Sequence, residues 1–210
     1  ALAAGYSLKS GRWVPLAGQS GFGSSSPAWN LSLTVDASLL PRPGVDPRRH
    51  QIRAYLTGSW QFASAWKGEL KVTERYRNYE SSRLSLRGSL QFSHGPWLSV
   101  LRAEGVHCKD WGFLSYLEGG FKGNSLQAYL RVCGFSIANW EDRIYVYERD
   151  APGNFSVPAY SGKGLSLQGM AGYKLRLGKW ILKGYLRGGY MLRVQKEATP
   201  TLALQLQVQR

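Results

Sequence analysis

Long runs of alternating apolar and polar residues are the feature that most restricts how this chain can fold. Successive side chains of a β-strand point to opposite faces, so each run has one apolar face and one polar face. The runs exceed the about 5–6 residues of an average globular strand and reach the about 9–11 that a membrane-spanning strand needs. The clearest apolar rows lie near the C-terminus: Leu165, Leu167, Gly169, Ala171, Tyr173, Leu175 and Leu177; Trp180, Leu182, Gly184, Leu186, Gly188, Tyr190, Leu192 and Val194; Leu202, Leu204, Leu206 and Val208.

The same alternation begins at Trp29 and continues along most of the chain. It predicts an all-β fold, an antiparallel up-and-down transmembrane β-barrel of about 10–12 strands. Residues 1–27 are expected to be a strand remnant followed by a Gly/Ser-rich loop. Residues 28–210 are expected to form the barrel, with one long loop at 138–163. Whether the chain is the C-terminal portion of a larger barrel stays open.

Connection lengths support the barrel, because outer-membrane barrels have short turns on one rim and longer loops on the other. Short connections are predicted at 63–67, 94–96, 122–124 and 178–179, and longer ones at 41–50, 78–82, 107–110 and 195–200. The alternation holds if 138–163 is one loop, in which 144–147 forms a short extension or hairpin. Between Trp97 and Val106 the apolar residues do not share one face, which predicts a β-bulge.

Aromatic residues flank the predicted short turns, as the interfacial girdle of a membrane barrel would. They are Trp60, Phe62, Trp66, Phe92, Trp97, Phe121 and Trp180. A soluble barrel whose rim aromatics cap an apolar core is the alternative. The polar face of the runs argues against it, since a small soluble barrel fills its interior with apolar side chains.

That polar face is rich in basic residues, and we interpret it as the wall of a wet lumen that favours anions. Its members are Arg53, Arg75, Arg87, Arg131, Lys174, Arg176, Lys183, Arg187 and Arg193. The alternative is internal ion pairing with Glu69, Glu74, Glu104 and Glu118. Since 27 Lys and Arg face only 13 Asp and Glu, pairing cannot neutralise every basic residue.

The net charge of +14 fits either a solvated surface or an anionic partner, such as nucleic acid, lipid phosphate or an acidic solute. Cys108 and Cys133 are the only cysteines and form no C-x-x-C motif, so a disulfide and two buried thiols both stay open. Residues 1–20 lack the pattern of a signal peptide. We therefore expect a mature protein or the C-terminal piece of a longer one.

Catalytic motifs are absent from the sequence. His50, His94 and His107 fall in separate loops or turns, and no G-x-S-x-G, H-E-x-x-H or P-loop occurs. Four carboxylates at 141, 142, 148 and 150 suit acid–base or calcium chemistry, but salt bridges with Arg143 and Arg149 are the simpler explanation. We predict no catalytic residue, no metal site and no cofactor.

One segment carries a resemblance to a known family. Residues 139–164 read N-W-E-D-R-I-Y-V-Y-E-R-D-A-P-G-N-F-S-V-P-A-Y-S-G-K-G. This segment resembles one near the C-terminus of Gram-negative outer-membrane proteins that join a helix-hairpin-helix region to a C-terminal β-barrel. The matching positions include Arg143, Tyr145, Tyr147, Glu148, Arg149, Asp150, Phe155, Pro158 and Tyr160.

The resemblance covers about residues 130–210 and implies a location in the outer membrane of a Gram-negative bacterium. No helix-hairpin-helix signature occurs in these 210 residues, so a DNA-binding role would belong to another part of the protein.

Together these features predict a non-enzymatic outer-membrane barrel that serves as anchor or conduit for an anionic cargo. The expected partners are outer-membrane lipid and an anionic solute or nucleic acid. The loop 138–163 is expected to fold into or over the mouth of the barrel. Two other classes stay open: an outer-membrane enzyme with its site in that loop, and a soluble barrel-like binding module.

Overall fold

The structure is a computed structural model that describes residues 2–9, 12–15, 29–39, 50–78, 80–194 and 196–209. The predicted Gly/Ser-rich loop before Trp29 lies outside the described residues, as does nearly all of the predicted loop 41–50. Part of the predicted strand remnant is a strand in the structure, because Leu2–Lys9 pairs with Trp29–Leu39.

The described chain is almost entirely β-structure, with one short 3-10 turn at Trp140–Asp142. No helix in the described part has the length and apolar character to cross a membrane. The strands in chain order are β1 Leu2–Lys9, β2 Arg12–Pro15, β3 Trp29–Leu39, β4 His50–Ala63, β5 Trp66–Arg77, β6 Glu80–His94, β7 Trp97–His107, β8 Trp111–Lys122, β9 Leu126–Ile137, β10 Ile144–Tyr145, β11 Ala159–Tyr160, β12 Gly162–Leu177, β13 Trp180–Arg193 and β14 Lys196–Gln209.

Twelve strands form one antiparallel sheet in the order β14-β13-β12-β9-β8-β7-β6-β5-β4-β3-β1-β2. From β3 onward each long strand pairs with the next long strand in sequence, and this is the predicted up-and-down order. Strand β9 pairs directly with β12, because β10 and β11 form a separate two-stranded sheet. The order departs from the sequence only at β1, which lies between β2 and β3 among the described strands. The predicted all-β class is confirmed.

The sheet separates apolar and polar side chains onto two faces. Cross-strand pairing joins Leu90, Leu101, Leu117, Val132 and Leu167 in one row across five neighbouring strands. We call this side the leucine face. Leu117 is 56% exposed there, whereas Glu118, on the opposite side, is 3% exposed. The alternation read from the sequence therefore corresponds to a physical separation of side chains.

The bulge predicted between Trp97 and Val106 is wrong. Strand β7 pairs with β6 and β8 without a register shift. Leu98 and Val100 lie on the side opposite Leu101, and Val100 packs against a cluster of buried apolar residues. A regular strand can hold apolar residues on both faces when part of its polar face is covered.

Two predicted long connections are shorter than expected. Strand β6 begins at Glu80 and β14 begins at Lys196, so little chain remains between the strands at 78–79 and 194–195. Pro200 lies within β14 opposite Tyr190. Proline is tolerated on a strand that pairs on one side, and β13 is the partner of β14 among the described strands. The one long described connection between neighbouring strands joins β9 to β12.

Candidate functional site: the basic face and its covering segment

All nine basic residues predicted to line a lumen lie on the same face of the sheet. Directly paired residues share a face, and the pairs include Arg53 with Arg75, and Lys174 with Lys183. The other five basic residues are assigned to this face because alternate residues of a strand share a face and the strand registers connect β4 to β13. We call this side the basic face. Glu74 is not part of it, because Glu74 pairs in register with Ala54 and Leu84 on the leucine face.

Residues 138–161 lie across the basic face, and we call them the covering segment. Strands β10 and β11 pair within it, and an isolated bridge joins Glu148 to Ser156. The prediction that 144–147 forms a short extension or hairpin rather than a spanning strand is thus confirmed. Hydrogen bonds of the segment reach from Arg83 on β6 to Gln205 on β14. The segment therefore covers much of the face between these strands.

Apolar contacts attach one side of the segment to the sheet. Ile144, Val146 and Tyr160 are completely buried, while Tyr145 and Tyr147 are about half exposed. The ring of Tyr160 packs edge-on against Phe135 of β9, with ring centroids 5.1 Å apart. The buried cluster also contains Val106, Leu114, Tyr116, Cys133 and Ile137. Alternation in an extended segment thus gives it an apolar side that the sheet buries.

Glu148 is the centre of a polar attachment between the segment and strands β12 and β13. Its carboxylate accepts hydrogen bonds from Tyr160 at 2.9 Å, from Ser156 at 3.3 Å and from Gln168. Arg187 forms ion pairs with Glu148 and with Asp150, the latter at 2.6 Å. Since Glu148 is only 3% exposed, each of these partners compensates for a carboxylate removed from water.

A second attachment is built around Glu118 of β8. Arg131 on β9 donates to Glu118 and, through Nη1, to the carbonyl oxygen of Tyr147 at 2.8 Å. Arg149 of the segment donates to Glu118 Oε1 at 2.8 Å. The guanidinium of Arg149 lies 4.0 Å from the ring centroid of Tyr129. One buried carboxylate therefore holds two guanidiniums, one from the sheet and one from the segment.

Asp142 attaches the start of the segment to the turn between β7 and β8. Its Oδ1 accepts from the backbone N–H groups of Cys108 at 2.7 Å and Lys109 at 3.1 Å, and its Oδ2 accepts from Asp110 at 3.0 Å. Burial alone would raise the pKa of Asp142, but these N–H donors outweigh burial and lower the pKa. Gly112 permits the close approach, since a Cβ there would stand 3.1 Å from the carbonyl oxygen of Asp142.

The salt bridges predicted between the four carboxylates of the loop and Arg143 or Arg149 are wrong. Glu141 pairs instead with Lys109 at 2.8 Å, and this contact lowers the pKa of Glu141. Arg143 donates to Tyr145 and to the carbonyl oxygen of Trp140. Neighbours in an extended segment point to opposite sides, so Glu148 and Arg149 find their partners on different strands.

Other residues of the family-like motif have smaller roles. Phe155 is 81% exposed and packs against Tyr147, with ring centroids 5.6 Å apart. The carbonyl oxygen of Pro158 accepts from the backbone N–H of Val146 at 3.3 Å. Tyr160 combines a buried ring with a hydroxyl bound to Glu148, and that environment raises the pKa of the hydroxyl.

Strands β4 to β6 carry a row of basic side chains along their length, which we call the basic track: Arg53, Lys67, Lys71, Arg75, Arg83 and Arg87. Hydroxyl residues such as Ser32, Thr57 and Ser89 share this face by register. Arg87 pairs with Glu69 at 3.0 Å, and Lys71 lies over the ring of Tyr55 at 4.9 Å. The track gives this part of the face a basic, hydrogen-bonding surface.

Other candidate chemistry remains scattered. Cys108 and Cys133 are free thiols, so no disulfide joins them. Within the described ranges, no three His, Cys, Asp or Glu residues are placed to hold a metal ion. His94 is the last residue of β6, and His107 packs on Trp111 with ring centroids 5.1 Å apart.

The attachment at Asp142 predicts a pH dependence. Because the folded-state pKa of Asp142 is lowered, its stabilisation is complete above the unfolded pKa of about 3.9 and is lost as pH falls through the folded value. Amide hydrogen exchange of residues 108–110 should therefore lose protection in this acid range, by about 1–3 kcal/mol of opening free energy. Asp142→Asn should lower protection at pH 7 and remove the acid step. Equal protection in both proteins at pH 7 would contradict this role.

Comparison of the chain with protein-family models, with curated proteins and with solved structures finds no match.

Proposed function

We propose that this protein is a membrane-embedded β-barrel that provides a basic conduit, or an anchor, for an anionic cargo. One observation carries the proposal: one sheet holds exposed leucines on one face and arginines on the other. Lipid is the solvent that suits the first face, and water with anions suits the second.

The extent of the leucine face supports the membrane part of the proposal. Soluble monomers rarely expose an apolar patch larger than a few hundred Å². Here large apolar residues stay exposed on every strand from β3 to β9 and from β12 to β14. Aromatic pairs lie on the same face near the short turns, with ring centroids 4.9 Å apart for Trp66 and Phe92 and 5.1 Å for Trp97 and Phe121. Such a belt suits a membrane interface.

The basic track supports the anionic cargo. Its basic side chains lie among hydroxyl groups, and too few carboxylates are close by to neutralise them. The chain as a whole carries a net charge of +14. A face of this kind raises the local concentration of anions. Glu148 and Asp150 are held by Arg187, so the covering segment supports a structural role better than a catalytic one. The proposed location is the outer membrane of a Gram-negative bacterium, on the resemblance of residues 139–164.

Planar-bilayer recording tests the proposal. The purified protein should insert and give a reversal potential of the anion-selective sign under a KCl gradient. The double variant Lys67→Gln/Lys71→Gln should shift the reversal potential toward zero, because it removes two charges from the basic track. The matched control Lys163→Gln/Lys179→Gln removes two exposed charges outside the basic face and should leave selectivity unchanged. Cation selectivity, or no insertion, would count against the proposal.

A further inference from the structure

Three arginines of the basic track stand side by side at one level of the sheet. Arg53 on β4 pairs in register with Arg75 on β5, and Arg75 pairs with Arg83 on β6. Like charges placed directly opposite on neighbouring strands destabilise a sheet. Such an arrangement is stabilised when an anion sits among the guanidiniums.

Few acidic groups lie near these arginines, too few to neutralise them all. Asp36 is the register partner of Arg53. Glu80 lies 3.6 Å from Arg75 but makes its shorter contacts, at 2.8 and 3.0 Å, with Arg77. Two carboxylates therefore face four guanidiniums in this part of the described structure.

Hydrogen bonding within the group also leaves donors free. Arg83 donates to the carbonyl oxygens of Glu141 and Arg143, so the covering segment engages it at the edge of the row. Arg53 donates through Nη1 to the hydroxyl of Tyr55 at 2.9 Å. Among the described residues, the buried Nε atoms of Arg53 and Arg75 have no hydrogen-bond partner. Buried donors of this kind normally have a partner, and a bound anion would supply one.

We propose that Arg53 and Arg75, with Arg83 beside them, form a binding site for a phosphate-type oxyanion. A planar guanidinium presents paired N–H donors that match two oxygens of a phosphate group, and two neighbouring arginines can hold one group from both sides. The hydroxyls of Tyr55 and Thr73 follow on the same face and would accept or donate at its edge. This site rests on the proposed function, since it names the class of anion that the basic track binds.

Isothermal titration of the protein in neutral detergent micelles, with orthophosphate and pyrophosphate as probes, tests the site. Arg53→Gln/Arg75→Gln should raise the dissociation constant by about 100-fold, because two charge-assisted contacts are lost. Lys163→Gln/Lys179→Gln removes the same amount of charge elsewhere and should leave the dissociation constant unchanged. Equal affinity in wild type and in the arginine variant, or an equal loss in the control, would overturn the site.

A second measurement keeps the test valid if the variant does not fold. Phosphate should protect Arg53 and Arg75 of the wild-type protein from phenylglyoxal, read by mass spectrometry, while Arg176 stays reactive. Absence of this selective protection would overturn the site. Anion selectivity in bilayers without selective phosphate binding would refute the site and leave the proposed conduit standing.

Discussion

Arg187→Met should detach the covering segment and lower the free energy of unfolding by about 3–5 kcal/mol, the usual effect of breaking a buried ion pair from one side. The change leaves Glu148 and Asp150 without the cation that compensates for their burial, and it also removes the contact with Ser156 at 3.0 Å. Urea unfolding followed by tryptophan fluorescence measures the stability. Faster tryptic cleavage after Arg149 reports release of the segment.

Lys183→Met is the matched control, because Lys183 lies on the same strand and face and bonds to the amide oxygen of Gln209 at 2.8 Å. Lys183→Met should change the free energy of unfolding only slightly. Combining Arg187→Met with Glu148→Gln and Asp150→Asn should recover part of the lost stability, since the uncompensated charges are then gone. Equal stability of the two Met variants would show that the segment does not depend on this ion pair.

Glu118→Gln should lower the free energy of unfolding nearly as much as Arg187→Met does, although it preserves the shape of the side chain. The change leaves Arg131 positively charged, with its side chain only 6% exposed, and removes the charged partner of Arg149. We expect a loss of about 3–5 kcal/mol in the free energy of unfolding. Urea titrations in the same detergent give the comparison.

Glu69→Gln provides the contrast on a neighbouring part of the basic face. Glu69 and Arg87 form an ion pair whose side chains are about one-third exposed, so water screens it and its loss should cost about 0.2–1 kcal/mol. If the two variants lose equal stability, burial by the covering segment is not what makes the Glu118 pair important.

Much of the main sheet could be predicted from the sequence because strand periodicity is a local signal. Leu117 and Glu118 already stand in opposite phases within one run, and pairing in the sheet keeps them on opposite faces. The phase rule failed at Val100, an apolar residue on the basic face that packs against the buried cluster shared by the sheet and the covering segment. A sequence pattern does not reveal which part of a polar face another segment will bury.

The ion pairs of the covering segment could not be predicted in the same way. Glu148 and Arg187 are 39 residues apart, and only the pairing of β9 with β12 brings the segment over β13. The sequence suggested Arg149 as the partner because it is adjacent. The alternation of Ile144, Val146 and Glu148 contained a usable signal, since it places Glu148 on the buried side of the segment and so predicts a partner for it on the sheet.

The pairing of β9 with β12 has a consequence for how this protein can be altered. The covering segment leaves the sheet from β9 and returns to it at the adjacent strand β12. Gly162, with φ of +84°, turns the chain back into the sheet. Strand β9 pairs with β12 without any strand of the segment between them, because β10 and β11 of the segment pair with each other. The length of this insert can therefore change without altering strand pairing in the sheet, whereas its composition is restricted at Glu148, Arg149 and Asp150, whose charged partners lie on the sheet.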